Sequence, residues 1–290
     1  MTNFTHYLVT RFNIKIDQFG PELFRPDART EDWELKRLPL FEKFCVPSVA
    51  GQTNQNFTWL IYCDPATSSE IMQLIKKALQ AITNYEVIFV EGFDAMLDHL
   101  KHKVAYASTP FVISSRLDND DGLGKNYVQF VQTNFVPEDH VILNQLGGIN
   151  YNHLYGILTF HHYYARNSFI SLIEKKKDPD QVHTVFGFRH LSPKKEMTVL
   201  NIRNKYSFWM NLHGDNAAIR GNSGWPIPLS TAAKHYTFDT HGLLISPRNT
   251  IAYTLRWFPF VLKRKIKYLL RTRLALLKNK MGYSKFKRSP

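Results

Sequence analysis

Cysteine is scarce. Cys45 and Cys63 are the two among 290 residues, and both stand in apolar stretches. A pair so placed cannot supply a disulfide framework, which points to a reducing compartment. Long hydrophobic runs are missing as well: no stretch reaches the roughly 18 apolar residues of a membrane-spanning helix. The opening residues, MTNFTHYLVTRFNI, lack the basic-then-apolar order of a secretory leader. These absences lead us to expect a cytoplasmic protein. A third absence is local. Residues 259–290 contain no Asp or Glu but 11 Lys and Arg. The net charge of +13 therefore belongs to the tail, because the rest of the chain holds 26 basic residues (37 less 11) against 24 acidic ones. A basic groove in the body is not expected, no nucleic-acid module is recognisable, and nucleic acid is not an expected partner.

What is present is organised around residues 111–123, FVISSRLDNDDGL. Phe111-Val112-Ile113 has the composition of a buried strand. It runs into Asp118-Asn119-Asp120-Asp121 before Gly122. Three carboxylates in four residues repel one another unless water or a cation neutralises them. Mg²⁺ and Mn²⁺ favour such oxygen ligands and share their coordination between one or two carboxylates and substrate phosphates. The stretch reads as a metal–diphosphate site at the carboxyl end of a strand, where open α/β sheets bind their ligands. The competing reading is an Asp/Asn/Gly turn, which such residues favour at any strand end.

Strands and helices alternate around this segment. Residues 6–14 read as a first strand and 15–33 as a surface loop. A helix follows over 34–50, with Leu38, Phe41 and Phe44 inward and Pro47 expected to kink or end it. Residues 57–63 give a second strand and 86–90 a third, separated by a helix capped at Thr67-Ser68-Ser69-Glu70 and running to Ile82. A helix over 93–107 precedes the 111–121 strand. This alternation demands parallel strands with helices on both faces. The second half changes character, with a helix at 124–134 and short strands at 140–146, 155–163, 168–174 and 205–212. Its aromatics read mostly as core, with Trp209, Trp225 and Tyr151 as candidate sugar-stacking platforms. His161 and His162 point to opposite faces of a strand and read as structural.

Several blocks resemble a bacterial family of rhamnosyltransferases: LVTRFNI at 8–14, LFEKFCVPSVAGQT at 40–53, FTWLIYCD at 57–64, SRLDNDDGL at 115–123 and WMNLHGDN at 209–216. The similarity runs over roughly residues 5–225. It implies an α/β fold of the A-type, Asp-x-Asp-containing glycosyltransferases, a Rossmann-like nucleotide-diphospho-sugar transferase fold with a mixed central sheet. It also implies a nucleotide-sugar donor and Mn²⁺ or Mg²⁺ as cofactor. In that frame Asp118 and Asp120 are the metal and ribose–phosphate pair, and Asp121 either assists or only holds the turn. His213 is the late histidine that glycosyltransferases of this fold return to the metal, or else a hydrogen-bonded structural residue. Arg11 abuts the nucleotide and faces a phosphate, or is an ordinary strand-end charge. Asp64 accepts hydrogen bonds from base or ribose, or starts a turn with Pro65. Arg116 pairs with Asp118 or a phosphate, and Arg220 closes on the diphosphate from a Gly-rich loop. The catalytic base is the least legible element. Glu174, at the end of an apolar strand, is the first choice, followed by Asp215 and then His190.

The expected organisation is a glycosyltransferase domain over 1–250, with a nucleotide-binding half (1–123) and an acceptor half (124–250), then a basic amphipathic tail over 251–290. In the tail Leu262, Ile266, Leu270, Leu274, Leu277 and Met281 recur at helical spacing among Lys and Arg. That is the pattern of a helix lying on an anionic membrane surface, or of a helix packed on the domain with its charges in water. The expected activity is metal-dependent, inverting sugar transfer, possible donors including a rhamnosyl nucleotide, to a saccharide or lipid-linked acceptor in surface polysaccharide synthesis at the inner face of the membrane. Two other readings stand beside it. A metal-dependent phosphodiesterase or nuclease needs a second carboxylate set for a second metal. A non-enzymatic binder of anionic lipid or nucleic acid would use the tail alone.

Overall fold

The computed structural model describes residues 3–15, 31–161, 167–188, 196–214 and 224–256, with 258, 266, 269, 270, 273, 274, 276 and 277 of the tail. Strand β1 (Phe4–Arg11) lies inside a seven-stranded sheet, between β2 (Thr58–Cys63) and β4 (Phe111–Arg116). It pairs with both in parallel, and β3 (Tyr85–Phe89) extends the parallel run beyond β2. On the other side β9 (Ile170–Lys175) is antiparallel to β4, and β6 (Val141–Gln145) is antiparallel to β9. β10 (Thr198–Ile202) closes the edge parallel to β6. The sheet is therefore mixed, as expected, and its parallel part carries helices as crossovers.

The helices follow their sequence patterns. α3 (Ser69–Ala78) begins at Ser68, whose hydroxyl accepts a hydrogen bond from the Ile71 N–H, and it buries Ile71, Met72 and Ile75. α4 (Gly92–Ala105) buries Phe93, Met96, Leu100 and Val104. The first helical stretch is longer and less regular than its expected span. α1 (Glu31–Leu40) runs into one π-helical turn, Phe41–Cys45, and then α2 (Val46–Ala50). Pro47 sits in the first turn of α2, so the chain stays helical past it; the wider turn has Val46 N–H donate to the Phe41 carbonyl, five residues back. Leu38, Phe41 and Phe44 are buried as expected.

A second, five-stranded sheet holds β5 (Gly122–Leu123), β11 (Phe208–Leu212), β7 (Gly148–Asn152), β8 (Ile157–His161) and β12 (Trp225–Pro226) in that order. β7 and β10 lie in segments the sequence reading left unassigned. One hydrophobic cluster runs from Leu8 and Phe12 through Trp59, Tyr127 and Phe169 to Phe208 and Leu212, so residues on either side of position 123 share packing. α5 (Tyr127–Thr133) contributes Tyr127, Val128 and Val131 to it.

The link between the sheets is the segment after β4. It turns through the acidic residues and pairs with β11 in antiparallel register, Gly122 opposite Trp209 and Leu123 opposite Phe208. Gly124 then donates to the Ser207 carbonyl at 2.8 Å. A Cβ on Gly124 would overlap the carbonyl oxygen of Tyr206, which is backbone and cannot swing aside. We expect Gly124→Ala to cost on the order of 1–3 kcal/mol in denaturant unfolding, as overpacked sites do, by prising β5 from β11. A cost below about 0.5 kcal/mol would mean that this junction yields freely.

Candidate functional site

β1 and β4 run parallel, so Arg11 and the acidic segment reach the same edge of the sheet. Arg116, the last residue of β4, holds Asp118 in a fork: Nη2 donates to Oδ1 at 3.0 Å and to Oδ2 at 2.9 Å. Arg11 Nη2 lies 3.7 Å from the same carboxylate. Asp120 turns the other way. Its Oδ2 accepts from Arg37 of α1 and from His213 Nε2, the latter at 3.0 Å. Asp121 faces inward, where its Oδ1 accepts from the backbone N–H of Asn211 at 2.8 Å. Asn119 Nδ2 donates to the Phe12 carbonyl at 2.7 Å and ties the turn to the end of β1.

His213 follows β11 directly, and the β5–β11 pairing brings it to Asp120. Asn211 fixes that end of the strand. Its Nδ2 donates to the Asp120 carbonyl at 2.6 Å, while its Oδ1 accepts from Trp209 Nε1 at 3.0 Å and meets His153 Nε2 at 2.9 Å. Trp209 is wholly buried and Tyr151 is 3% exposed. Both lie against the site from below, so neither is a sugar platform. The inward face of this strand is packed against Phe44 and Phe238, and the tryptophan supports the asparagine instead. Trp225 is half-buried.

The charges sort themselves. Burial acts to raise Asp118, but the Arg116 and Arg11 guanidiniums outweigh it and hold its carboxyl below the usual range. Burial likewise opposes ionisation of Asp120, and Arg37 with His213 brings it down to about 2. Asp121 goes the other way: burial, then the neighbouring Asp120 and Asp118 charges, push it well above the carboxylate range. Three guanidiniums, those of Arg11, Arg37 and Arg116, thus stand among the carboxylates of the tip. Guanidiniums gathered at a strand end suit an anionic ligand.

Beside this cluster a cavity of about 140 Å³ is lined by Asn13, Lys15, Glu34, Asp64, Ala66, Thr67 and Ser68. Asp64 stands at the end of β2, where its Oδ1 accepts from Ala66 N–H at 2.8 Å and its Oδ2 lies 3.6 Å from Lys15 Nζ. Asn13 spans the gap, accepting from Asp64 N–H at 2.8 Å and donating to Glu34 and to Thr67 Oγ1.

The expected metal donors come together only in part. Asp120 and His213 converge, whereas both Asp118 oxygens face arginines. Among the described residues no group of three or more His, Cys, Asp or Glu side chains is placed to hold a metal ion. An ionised carboxylate beside an imidazole suits a divalent cation that completes its shell with substrate phosphates.

Glu174 requires a correction. β9 is antiparallel to β4, and Glu174 pairs with Val112, near the amino end of β4. It therefore sits at the opposite edge of the sheet from Asp118, and it is no catalytic base. Its two oxygens accept from the backbone N–H groups of His183 at 2.7 Å and Thr184 at 2.9 Å. Asp215, Arg220 and His190 lie outside the described residues. His161 is buried and Asn150 Nδ2 lies 3.0 Å from its Nε2, a structural pairing. Arg37, Glu34 and Asn211 are members of the site that the sequence reading missed. The only signal for the first two is that they lie three apart on a helix, the spacing that puts side chains on one face.

The chain thus builds a mixed α/β fold with an acidic turn after β4 and three arginines beside it. The family profile described as "Putative rhamnosyl transferase" matches residues 25–223, and the chain belongs to that family of glycosyltransferases. No curated protein matches the chain. Among solved structures, Staphylococcus aureus TarS 1-349 overlaps 71% of this chain and 60% of its own, at 12% identity and a TM-score of 0.39. HddC from Yersinia pseudotuberculosis overlaps 70% of this chain and 92% of its own, at 14% identity and a TM-score of 0.37. The chain thus spans about three fifths of the TarS segment. Overlap this loose defines neither a site nor a substrate, and the family assignment rests on the profile match.

Burial pushes the Glu174 carboxyl up to about 7 from 4.5, against the pull of its two N–H donors and Lys177 and with a small push from Asp139. Between those values the folded protein keeps a proton that the unfolded chain has released. The stability so gained is complete below about 4.5 and is lost as pH rises through about 7. The thermal midpoint should fall between pH 5 and pH 8, more steeply in the wild type than in Glu174→Gln. Equal slopes would remove Glu174 as a source of the dependence.

Proposed function

We propose that the chain transfers a sugar, rhamnose by the family's description, from a nucleoside-diphosphate donor to a saccharide or lipid-linked acceptor with inversion. The observation that carries this reading is the convergence of Asp118 and Asp120 with Arg11, Arg37, Arg116 and His213 at the carboxyl edge of β1 and β4. The donor's diphosphate lies along that edge, against Arg11 and Arg116. The nucleoside enters the cavity beside Asn13 and Asp64, whose carboxylate accepts a hydrogen bond from base or ribose. Arg220 closes over the diphosphate from the segment after β11. Asp120 and His213 would hold Mn²⁺ or Mg²⁺, which when bound neutralises the charge on the departing diphosphate. Asp215, two residues beyond His213, takes the acceptor hydroxyl's proton once Glu174 is removed from that role. Arg37 keeps the Asp120 carboxylate ionised and aimed.

Thermal shift with dTDP-rhamnose, UDP- and GDP-sugars and their diphosphates, with and without Mn²⁺, tests the proposal. One donor should raise the midpoint by several degrees, and Mn²⁺ should enlarge the shift. Asp120→Asn and His213→Ala should lose the Mn²⁺-dependent part, and Asp215→Asn should lower kcat at least a hundredfold with donor KM unchanged. No shift with any nucleotide would end the donor-site reading. A phosphodiesterase would instead hydrolyse the donor without an acceptor.

We further propose that the tail works on an anionic membrane surface on the cytoplasmic side. No helix among the described residues is long and apolar enough to cross a bilayer. Yet Leu255, Ile266, Leu269, Leu270, Leu274 and Leu277 form an apolar stripe that is about half to three-quarters exposed, and Phe258, 49% exposed, meets the Trp225 ring edge-on at 6.2 Å. Among 11 Lys and Arg and no acid in 259–290, that stripe matches a lipid interface better than a protein core. The chain should sediment with phosphatidylserine or phosphatidylglycerol vesicles and not with neutral ones. Unchanged binding after deletion of 259–290 would rule the tail out as the anchor.

A further inference from the structure

Phe186 meets two arginines of the site. The Arg11 guanidinium stands 4.8 Å from its ring centre and the Arg116 guanidinium 5.2 Å. Both arginines also face Asp118. Each therefore has both a carboxylate and an aromatic ring against it. Phe93 adds a second ring 5.7 Å from Arg11.

The segment carrying Phe186 is pinned to the sheet one residue after another. Glu174, paired with Val112, takes the N–H groups of His183 and Thr184. Ser114 Oγ accepts the next, from Val185 N–H, at 3.1 Å. The next residue, Phe186, meets the Arg116 guanidinium. The segment is thus tied to the sheet at Glu174 and Ser114 and meets the guanidiniums through the Phe186 ring. Gly187 N–H turns back to the Thr184 carbonyl at 3.2 Å, and a Cβ on Gly187 would overlap the His183 carbonyl oxygen. Thr184 is held at φ 58, a left-handed conformation that a β-branched residue adopts only under constraint. The Glu174 carboxylate supplies the constraint. Val185 and Phe186 pack with Val9, Ile14, Phe93, Ile142 and Ile170 beneath them, so the segment is part of a core and not a loose cover.

We propose that Glu174 and Phe186 are positioning residues for sugar transfer: Glu174 anchors the 183–187 turn, and the turn presents Phe186 as the plate that aims Arg11 and Arg116 at the donor diphosphate. This rests on the donor-site reading given above. An aromatic face attracts a guanidinium and limits its swing without taking up its N–H donors, which stay available to a carboxylate or phosphate. The buried carboxylate at the far edge thereby acts on chemistry it never touches.

Calorimetric titration tests this on the full-length protein. The probes are dTDP, UDP and GDP with their monophosphates, in the nucleotide series that stabilises the wild type most. Phe186→Leu should weaken the diphosphate about tenfold and the monophosphate less than threefold, with a native circular-dichroism spectrum. Phe186→Tyr should restore the diphosphate affinity, since a ring returns. Glu174→Gln, which keeps one acceptor in place of two, should give the same selective loss to a smaller extent. Equal weakening of both ligands, or no weakening, in Phe186→Leu would overturn the positioning role, provided Arg11→Ala and Arg116→Ala still cost the diphosphate selectively. If those two arginine variants also leave diphosphate binding unchanged, the donor-site reading fails and the proposal falls with it.

Discussion

The buried charge of Asp120 is the constraint on which this architecture turns. Its carboxylate and the Arg37 side chain are each 8% exposed. A buried carboxylate without a partner costs several kcal/mol, and breaking such a pair from one side costs about 3–5 kcal/mol. The pair therefore fixes α1 against the end of β4, while His213 fixes the end of β11 against the same oxygen. Three elements distant in sequence are held by one acidic group. A helix carrying Pro39 and a π-helical turn is poor material for independent stability, and its placement owes more to Arg37 and to its buried Leu38, Phe41 and Phe44 than to propensity.

Around that constraint the acidic turn divides its labour. Three carboxylates in four residues repel one another and are set in different surroundings. Asp118 and Asp120 are drawn apart by arginines on opposite sides, and Asp121 is left to burial and like charge. It spends its oxygen on the Asn211 N–H and becomes part of the strand junction. The identical residue type in neighbouring positions thus takes arginine partners at two places and a backbone partner at the third, from environment alone.

The parallel half of the sheet was legible because its signal is local: apolar strands, capped helices and short connections recur in order. The acidic tip was legible for the same reason, and His213 because its block resembles the family's. Glu174 was misread because an apolar strand ending in an acid looks the same whichever way the strand runs. Direction is set by pairing with β4, which is non-local. Arg37 and Glu34 were overlooked because charges on an amphipathic helix ordinarily face water. That these two turn inward depends on partners at Asp120 and Asn13, at positions no helix pattern reveals. Trp209 and Tyr151 were misassigned because an aromatic near a site reads equally as platform or as support, and only burial separates the two.

The same non-locality gives the far edge of the sheet its place in the argument. A central strand such as β4 is stiff and fully paired, so side chains along it hold fixed spacings. Val112 at one end, Ser114 midway and Arg116 at the other thus offer a ruler against which a neighbouring segment can be laid. The 183–187 turn uses it, with its N–H groups bound to the partner of Val112 and to Ser114 and its ring delivered to Arg116. Position transmitted along a strand needs no mobile relay. It needs only that each rung be satisfied, and the left-handed Thr184 shows that the turn accepts local strain to keep that register.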